Sequence, residues 1–190
     1  MDPRYQRLAE LLIGHSTSLE AGEHLLIEAF DMPEEMVIAL VRAARKVGGH
    51  PHVVLRNNRI MRALNESSHE ENLSVWADID LYRMKKMQAY IGLRGSWNIS
   101  EMSGVGADQM KRIGQIYSKP VHFDQRVKHT KWCVLRWPTP SMAQLAEMST
   151  EAFECFYFDV CTLDYARMDT ACQTLLKRMQ STDRVHIQGP

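Results

Sequence analysis

The feature that most constrains this chain is the order of segments between residues 23 and 56: a short apolar run, an amphipathic stretch closed by paired glycines, and a second apolar run. Leu25-Leu26-Ile27 lies within residues 23–30, short and bounded enough to be a buried strand. Asp31-Met32-Pro33-Glu34-Glu35 then offers a capping residue, an early proline and two carboxylates, all favourable where a helix dipole is positive. The helix so opened runs to Val47 with Met36, Leu40 and Ala43 or Ala44 on one face, and Gly48-Gly49 stop it. Val53-Val54-Leu55 follows as a second strand within residues 50–56. Strand, helix and strand in about 33 residues match a crossover unit, the connection that joins parallel strands.

The same alternation continues on both sides. Residues 5–14 place Leu8, Leu11 and Leu12 on one helical face, with Gly14 positioned to end it. Residues 58–64 and 68–76 read as short helices and 77–87 as a further amphipathic one, before a third strand over 89–93. The polar, glycine-containing stretch 96–106 is the longest irregular segment, and it follows a strand end, where open parallel sheets carry the loops for ligands and partners. Helical patterns over 107–117 and 120–131 lead to a fourth strand over 132–136, broken by Pro138-Thr139-Pro140. Thr139 or Ser141 is placed to cap a short helix to Met148, Ser149 to open another, and Asp164 to start a last helix to Gln180. Residues 184–188 read as a fifth strand. The expectation is a single α/β domain over residues 1–190, with a mostly parallel sheet of about five strands and helices on both faces, three layers in a Rossmann-like arrangement.

Composition narrows the class. The 23 basic and 23 acidic residues balance, and no run of five like charges occurs, so a nucleic-acid footprint is not expected. No stretch resembles a signal peptide or approaches the ~20 apolar residues that span a bilayer, and a soluble cytoplasmic protein with no membrane partner is expected. Cys133, Cys155, Cys161 and Cys172 sit in apolar or helical patterns without Cys-x-x-Cys spacing, as buried reduced thiols do.

No catalytic constellation emerges from the residues. His69-Glu70 lacks the second histidine one turn later that a zinc-peptidase helix needs, His50 and His52 share a strand face without an evident third ligand, and His122 and His129 fit a helix face. There is no Gly-x-Ser-x-Gly elbow, and Gly104-Val105-Gly106 lacks the third glycine of a dinucleotide fingerprint. Glu34-Glu35 and Glu70-Glu71 are explained by helix starts. Catalytic, cofactor-binding and metal-ligating residues are therefore all expected to be absent from this chain.

A family likeness alters that picture. Residues 138–153, Pro-Thr-Pro-Ser-Met-Ala-Gln-Leu-Ala-Glu-Met-Ser-Thr-Glu-Ala-Phe, resemble the corresponding segment of the aminopeptidase T family of metal-dependent, leucyl-type aminopeptidases. The likeness continues through Phe156-Tyr157-Phe158-Asp159 and Leu163-Asp164-Tyr165 to Asp183-Arg184-Val185-His186-Ile187-Gln188-Gly189-Pro190, and more loosely covers Tyr5-Gln6-Arg7-Leu8-Ala9 and Gly22-Glu23. The resemblance implies an intact enzyme about twice this length, whose two divalent metal ions, zinc, cobalt or similar, are held by residues of a second half. By that likeness the present chain is the amino-terminal domain, inactive alone, which shapes or gates the active site of a carboxyl-terminal catalytic domain acting on peptides in a homodimer. Trp137, Pro138, Thr139 and Gln144, with the 96–106 loop, are the candidate wall of that site. The alternative is a stand-alone α/β binding or interaction domain without peptidase activity.

Overall fold

The computed structural model describes residues 2–189; Met1 and Pro190, the latter closing the likeness above, lie outside the described residues. Four strands, β1 (His24–Phe30), β2 (His50–Arg56), β3 (Ala89–Arg94) and β4 (Lys131–Arg136), form one sheet in the order β2-β1-β3-β4, and every neighbouring pair is parallel. The chain steps outward from β1 to β2, then crosses back to the other side of β1 for β3 and β4. The carboxyl ends of β1 and β3 are thus the topological switch point of the sheet.

Helices α1 (Pro3–Leu11), α2 (Glu34–Lys46), α3 (Asn58–Ser67), α4 (Glu70–Met84), α5 (Ala107–Ile113), α6 (Val127–His129), α7 (Pro140–Leu145), α8 (Thr150–Cys161) and α9 (Tyr165–Gln180) complete the described fold. Strand alternation sends Leu25, Ile27 and Ala29 of β1 and Ala89, Ile91 and Leu93 of β3 to one face, where they meet α1, α2 and α8. Leu26 and Tyr90 point to the other face, against Leu73, Ala77 and Met84 of α4 and Ile113, Tyr117 and Val121 farther on. The β1-to-β2 and β2-to-β3 crossovers run in opposite directions across the sheet, so connections of one hand place α2 and α4 on opposite faces, as found. Each large side chain fully buried in these two cores contributes about 1.5–3 kcal/mol. The expected three-layer α/β class is therefore met, with four strands.

Several local expectations change. Residues 184–189 pair with no strand, because α9 buries none of its residues and so does not carry the chain back to the sheet edge. Gly14 does not end the first helix: the chain passes through it in a wider, π-helical turn (Leu12–Ser16), and Thr17 closes that turn by donating its hydroxyl to the Leu12 carbonyl at 2.9 Å. Asp31 does not cap α2. It adopts φ 44°, and its carboxylate accepts instead from the side chains of Asn57 and Asn58, both at 2.7 Å, tying the turn after β1 to the turn after β2. Ser149 and Asp164 do cap their helices, accepting from the backbone N–H of Ala152 and Arg167.

The segments 68–76 and 77–87 are one helix, and 107–129 is helical throughout, its middle (Gly114–Arg126) wound in π turns. Pro120 sits inside that middle, where wide turns accommodate a residue with no N–H to donate. All four cysteines are free thiols, but only Cys133 and Cys161 are partly sheltered; the helix faces that carry Cys155 and Cys172 are exposed.

Candidate functional site

The last paired residue of each strand is Arg56, Phe30, Arg94 or Arg136, in that order across the carboxyl edge, since the ladder sets Phe30 opposite Arg56 and Arg94, and Arg94 opposite Arg136. Strand alternation puts this row on the same face as Leu26, Glu28 and Tyr90. Phe30 supplies a ring over which the Arg94 guanidinium lies at 4.3 Å, a favourable cation–π arrangement.

Two glycines let the backbone and one ring close up here. Gly92 leaves room for the Tyr90 ring, whose Cε1 would stand only 3.0 Å from an added Cβ. Gly95 donates its N–H to the Phe30 carbonyl at 2.9 Å, and a Cβ there would stand 2.5 Å from the carbonyl oxygen of Asp31, closer than real contacts allow. A cleft of about 510 Å³ opens above this edge, lined by Phe30, Asn58, Arg94, Gly95, Ser96, Asn98, Ile99, Glu101, Met102, Val134 and Arg136. Its volume and its position at the switch point are those of small-molecule sites in parallel α/β sheets.

Behind the cleft lies a buried ionic network centred on Glu28, which is 4% exposed. Arg56 donates from Nε to Glu28 Oε1 and from Nη2 to Asp80 Oδ2, each at 2.6 Å. Tyr117 donates its hydroxyl to the same Asp80 oxygen at 2.7 Å. Glu28 Oε2 accepts from the Tyr90 hydroxyl at 2.5 Å and from Arg94 Nη2 at 3.0 Å. Burial would raise the Glu28 carboxyl, but the charges of Arg94 and Arg56 and the hydrogen bonds from Tyr90 and Arg56 outweigh it and hold it down at about 2. Burial in the same network pushes the Tyr90 and Tyr117 hydroxyls up, with Glu28 and Asp80 adding to it, so both remain neutral donors. Neighbouring His122, with Nδ1 buried and unpartnered, is lowered to about 4, first by burial and further by Arg126, Arg94 and Arg56 against an opposing pull from Glu28.

The two depressed groups give the domain a stability that falls with acid. In both cases the unfolded chain holds protons more readily, so the contribution is complete above the unfolded value and lost as pH falls to the folded one. His122 acts between 6.5 and about 4, and Glu28 between 4.5 and about 2. The urea midpoint should therefore drop steadily from pH 7 to pH 4, and His122→Phe, which keeps a ring against Tyr90 and Tyr117, should flatten that drop. A wild-type midpoint constant over this range would contradict the assignment.

Of the residues expected from sequence to wall a site, Trp137, Pro138 and Thr139 are buried and Gln144 is exposed, and none of the four lines the cleft. Trp137 packs edge-on against Tyr5 at 5.4 Å and Phe158 at 5.7 Å. The 96–106 loop does reach the cleft, and it is held beside the proline turn because the Ser141 hydroxyl donates to the Ser96 carbonyl at 2.6 Å while sharing a hydrogen bond with Thr139. Arg62 of α3 fixes the loop from the other side by donating to Glu101 at 2.9 Å.

Sequence reasoning missed the residues that define the edge: Glu28, Arg56, Tyr90, Arg94 and Arg136. Two signals were present, an acidic residue inside the apolar run Leu25-Leu26-Ile27-Glu28-Ala29-Phe30 and an arginine closing three strands. Among the described residues no group of three or more His, Cys, Asp or Glu is placed to hold a metal ion. The acids of the edge, Glu28 and Asp80, are engaged by arginines and tyrosines, so the residues present do not fit a two-metal centre.

Topology and cleft together define the class: a three-layer parallel α/β domain with a crevice at its switch point. Within that class the chain belongs to the thermophilic metalloprotease (M29) family, whose model matches residues 1–184. Its fold is similar to that of wild-type AmpT from Thermus thermophilus, with a TM-score of 0.64 and 16% identity. The likeness covers 84% of this chain and 43% of that one, so this chain spans about half the length of the structure it resembles. No curated protein matches the chain.

Proposed function

We propose that this chain is the amino-terminal domain of a metal-dependent aminopeptidase, and that it shapes or gates an active site whose metal ligands lie in a carboxyl-terminal catalytic domain outside these residues. The observation that carries this reading is the family match over residues 1–184 of a chain that covers only 43% of a related structure. In this reading two divalent ions, such as zinc or cobalt, serve the intact enzyme, which acts in the cytoplasm as a homodimer on peptides. The carboxyl edge, with its cleft, the 96–106 loop and the 137–144 segment behind it, is the face turned towards the catalytic domain.

Purified 190-residue protein equilibrated with zinc or cobalt and then desalted is expected to retain much less than one ion per chain. Stoichiometric retention of two ions would overturn the reading. The cleft favours a second reading, a stand-alone binding domain. A reading frame that stops after Pro190 would support it, and a frame that continues into segments rich in glutamate and histidine would exclude it.

A further inference from the structure

We propose that the cleft at the carboxyl edge binds a small amphipathic monocarboxylate, its charge held by Arg136 and its apolar body against Phe30, Ile99, Met102 and Val134. The proposal rests on how the charges around the cleft are used. Arg56 is paired with Glu28, Asp80 and Tyr117, and Arg62 with Glu66 and Glu101. Glu101, the one acid lining the cleft, is paired with Arg62, which it shares with Glu66. Arg94 spends Nη2 on Glu28 and Tyr90, and its Nη1 is buried without a hydrogen-bond partner. Arg136 is exposed, and its side chain makes no hydrogen bond or ion pair with any described residue.

One guanidinium, that of Arg136, thus stands at the cleft without a direct partner. A guanidinium presents a planar fork that matches a carboxylate, and a single negative charge balances Arg136. A second negative charge on the ligand would face Glu101 and the Glu28 carboxylate behind it. Beside Arg136 the cleft is apolar and open: Ile99 is 51% and Val134 39% exposed, side chains that lose water only when something covers them. A charged group and uncovered apolar surface side by side select a ligand that carries both.

The test uses the 190-residue protein, labelled with nitrogen-15 and titrated with N-acetyl-leucine, with N-acetyl-leucinamide as its uncharged counterpart and inorganic phosphate as an anion without an apolar body. Saturable shifts are expected at the amides of Gly95, Ser96, Ile99 and Met102 with the carboxylate, with the amide and phosphate binding at least about tenfold more weakly. Arg136→Gln should weaken the carboxylate by about tenfold while leaving amides away from the cleft unmoved. Equal binding of the amide, tightest binding of phosphate, no saturable shift, or indifference to Arg136→Gln would each overturn the proposal. It does not rest on the peptidase reading, which metal content and hydrolysis test separately.

Discussion

Glu28→Ala is expected to destabilise the domain by about 3–5 kcal/mol, the cost of removing one partner from a buried ion network. The carboxylate is 4% exposed and accepts from Arg56, Tyr90 and Arg94, so its loss leaves two guanidinium groups and a buried hydroxyl without their acceptor. Coulomb attraction alone does not set the size of the effect. Desolvating Arg94 is offset only while Glu28 is present, and truncation exposes that penalty while leaving Arg56 with Asp80 as its one carboxylate. For a chain of this length the change corresponds to a fall of roughly 10 °C in melting temperature. Glu28→Gln keeps the shape but not the charge and should fall between wild type and alanine. Urea unfolding at pH 7 measures both, and a loss below about 1 kcal/mol for Glu28→Ala would mean that water reaches the arginines and the network is not closed.

Trp137→Ala should cost about 3–5 kcal/mol, the range for truncating a large aromatic in a packed core. Trp137 is 5% exposed and touches Tyr5 of α1 together with Tyr157 and Phe158 of α8, so one indole joins the first and eighth helices to the end of β4. Part of the loss is edge-to-face geometry, worth about 0.5–1.5 kcal/mol per aromatic pair beyond area burial. Amides of α8 should lose hydrogen-exchange protection before those of the central strands, because few other contacts hold that helix. Trp137→Phe should recover most of the stability. A residue that only lined an outer wall would change stability by no more than about 0.5 kcal/mol, and that result would contradict the core position.

The four strands were legible because each carries a short apolar run bounded by turn signals, a pattern that survives without knowledge of neighbours, although only β1 and β3 are buried and the edge strands β2 and β4 are partly covered. The fifth was not a strand because an alternating pattern such as Val185 and Ile187 needs an edge within reach, and α9 does not pack back to bring it there. Asp31 looked like a helix cap on local grounds, but the asparagines that take its carboxylate lie 26 and 27 residues away, on the neighbouring strand's turn.

The same holds for the site. An arginine at a strand end reads as a solvated terminus until register sets it beside others, and register is a relation between strands. Trp137 is a candidate wall residue in the sequence, but whether an indole faces outward or inward depends on α1 and α8 covering it. The family likeness was carried by segments around residue 138 and beyond, whereas the cleft is built from strand ends that the likeness does not single out.

Hydrolysis of a chromogenic leucyl anilide by the folded 190-residue protein, supplied with zinc or cobalt, tests the central claim most directly. With cooperative unfolding confirmed beforehand, the account expects a rate no greater than that of the metal salt alone, since the described residues place no ligand set for a metal. Saturable turnover that scales with protein concentration would contradict it and put the catalytic groups within these 190 residues.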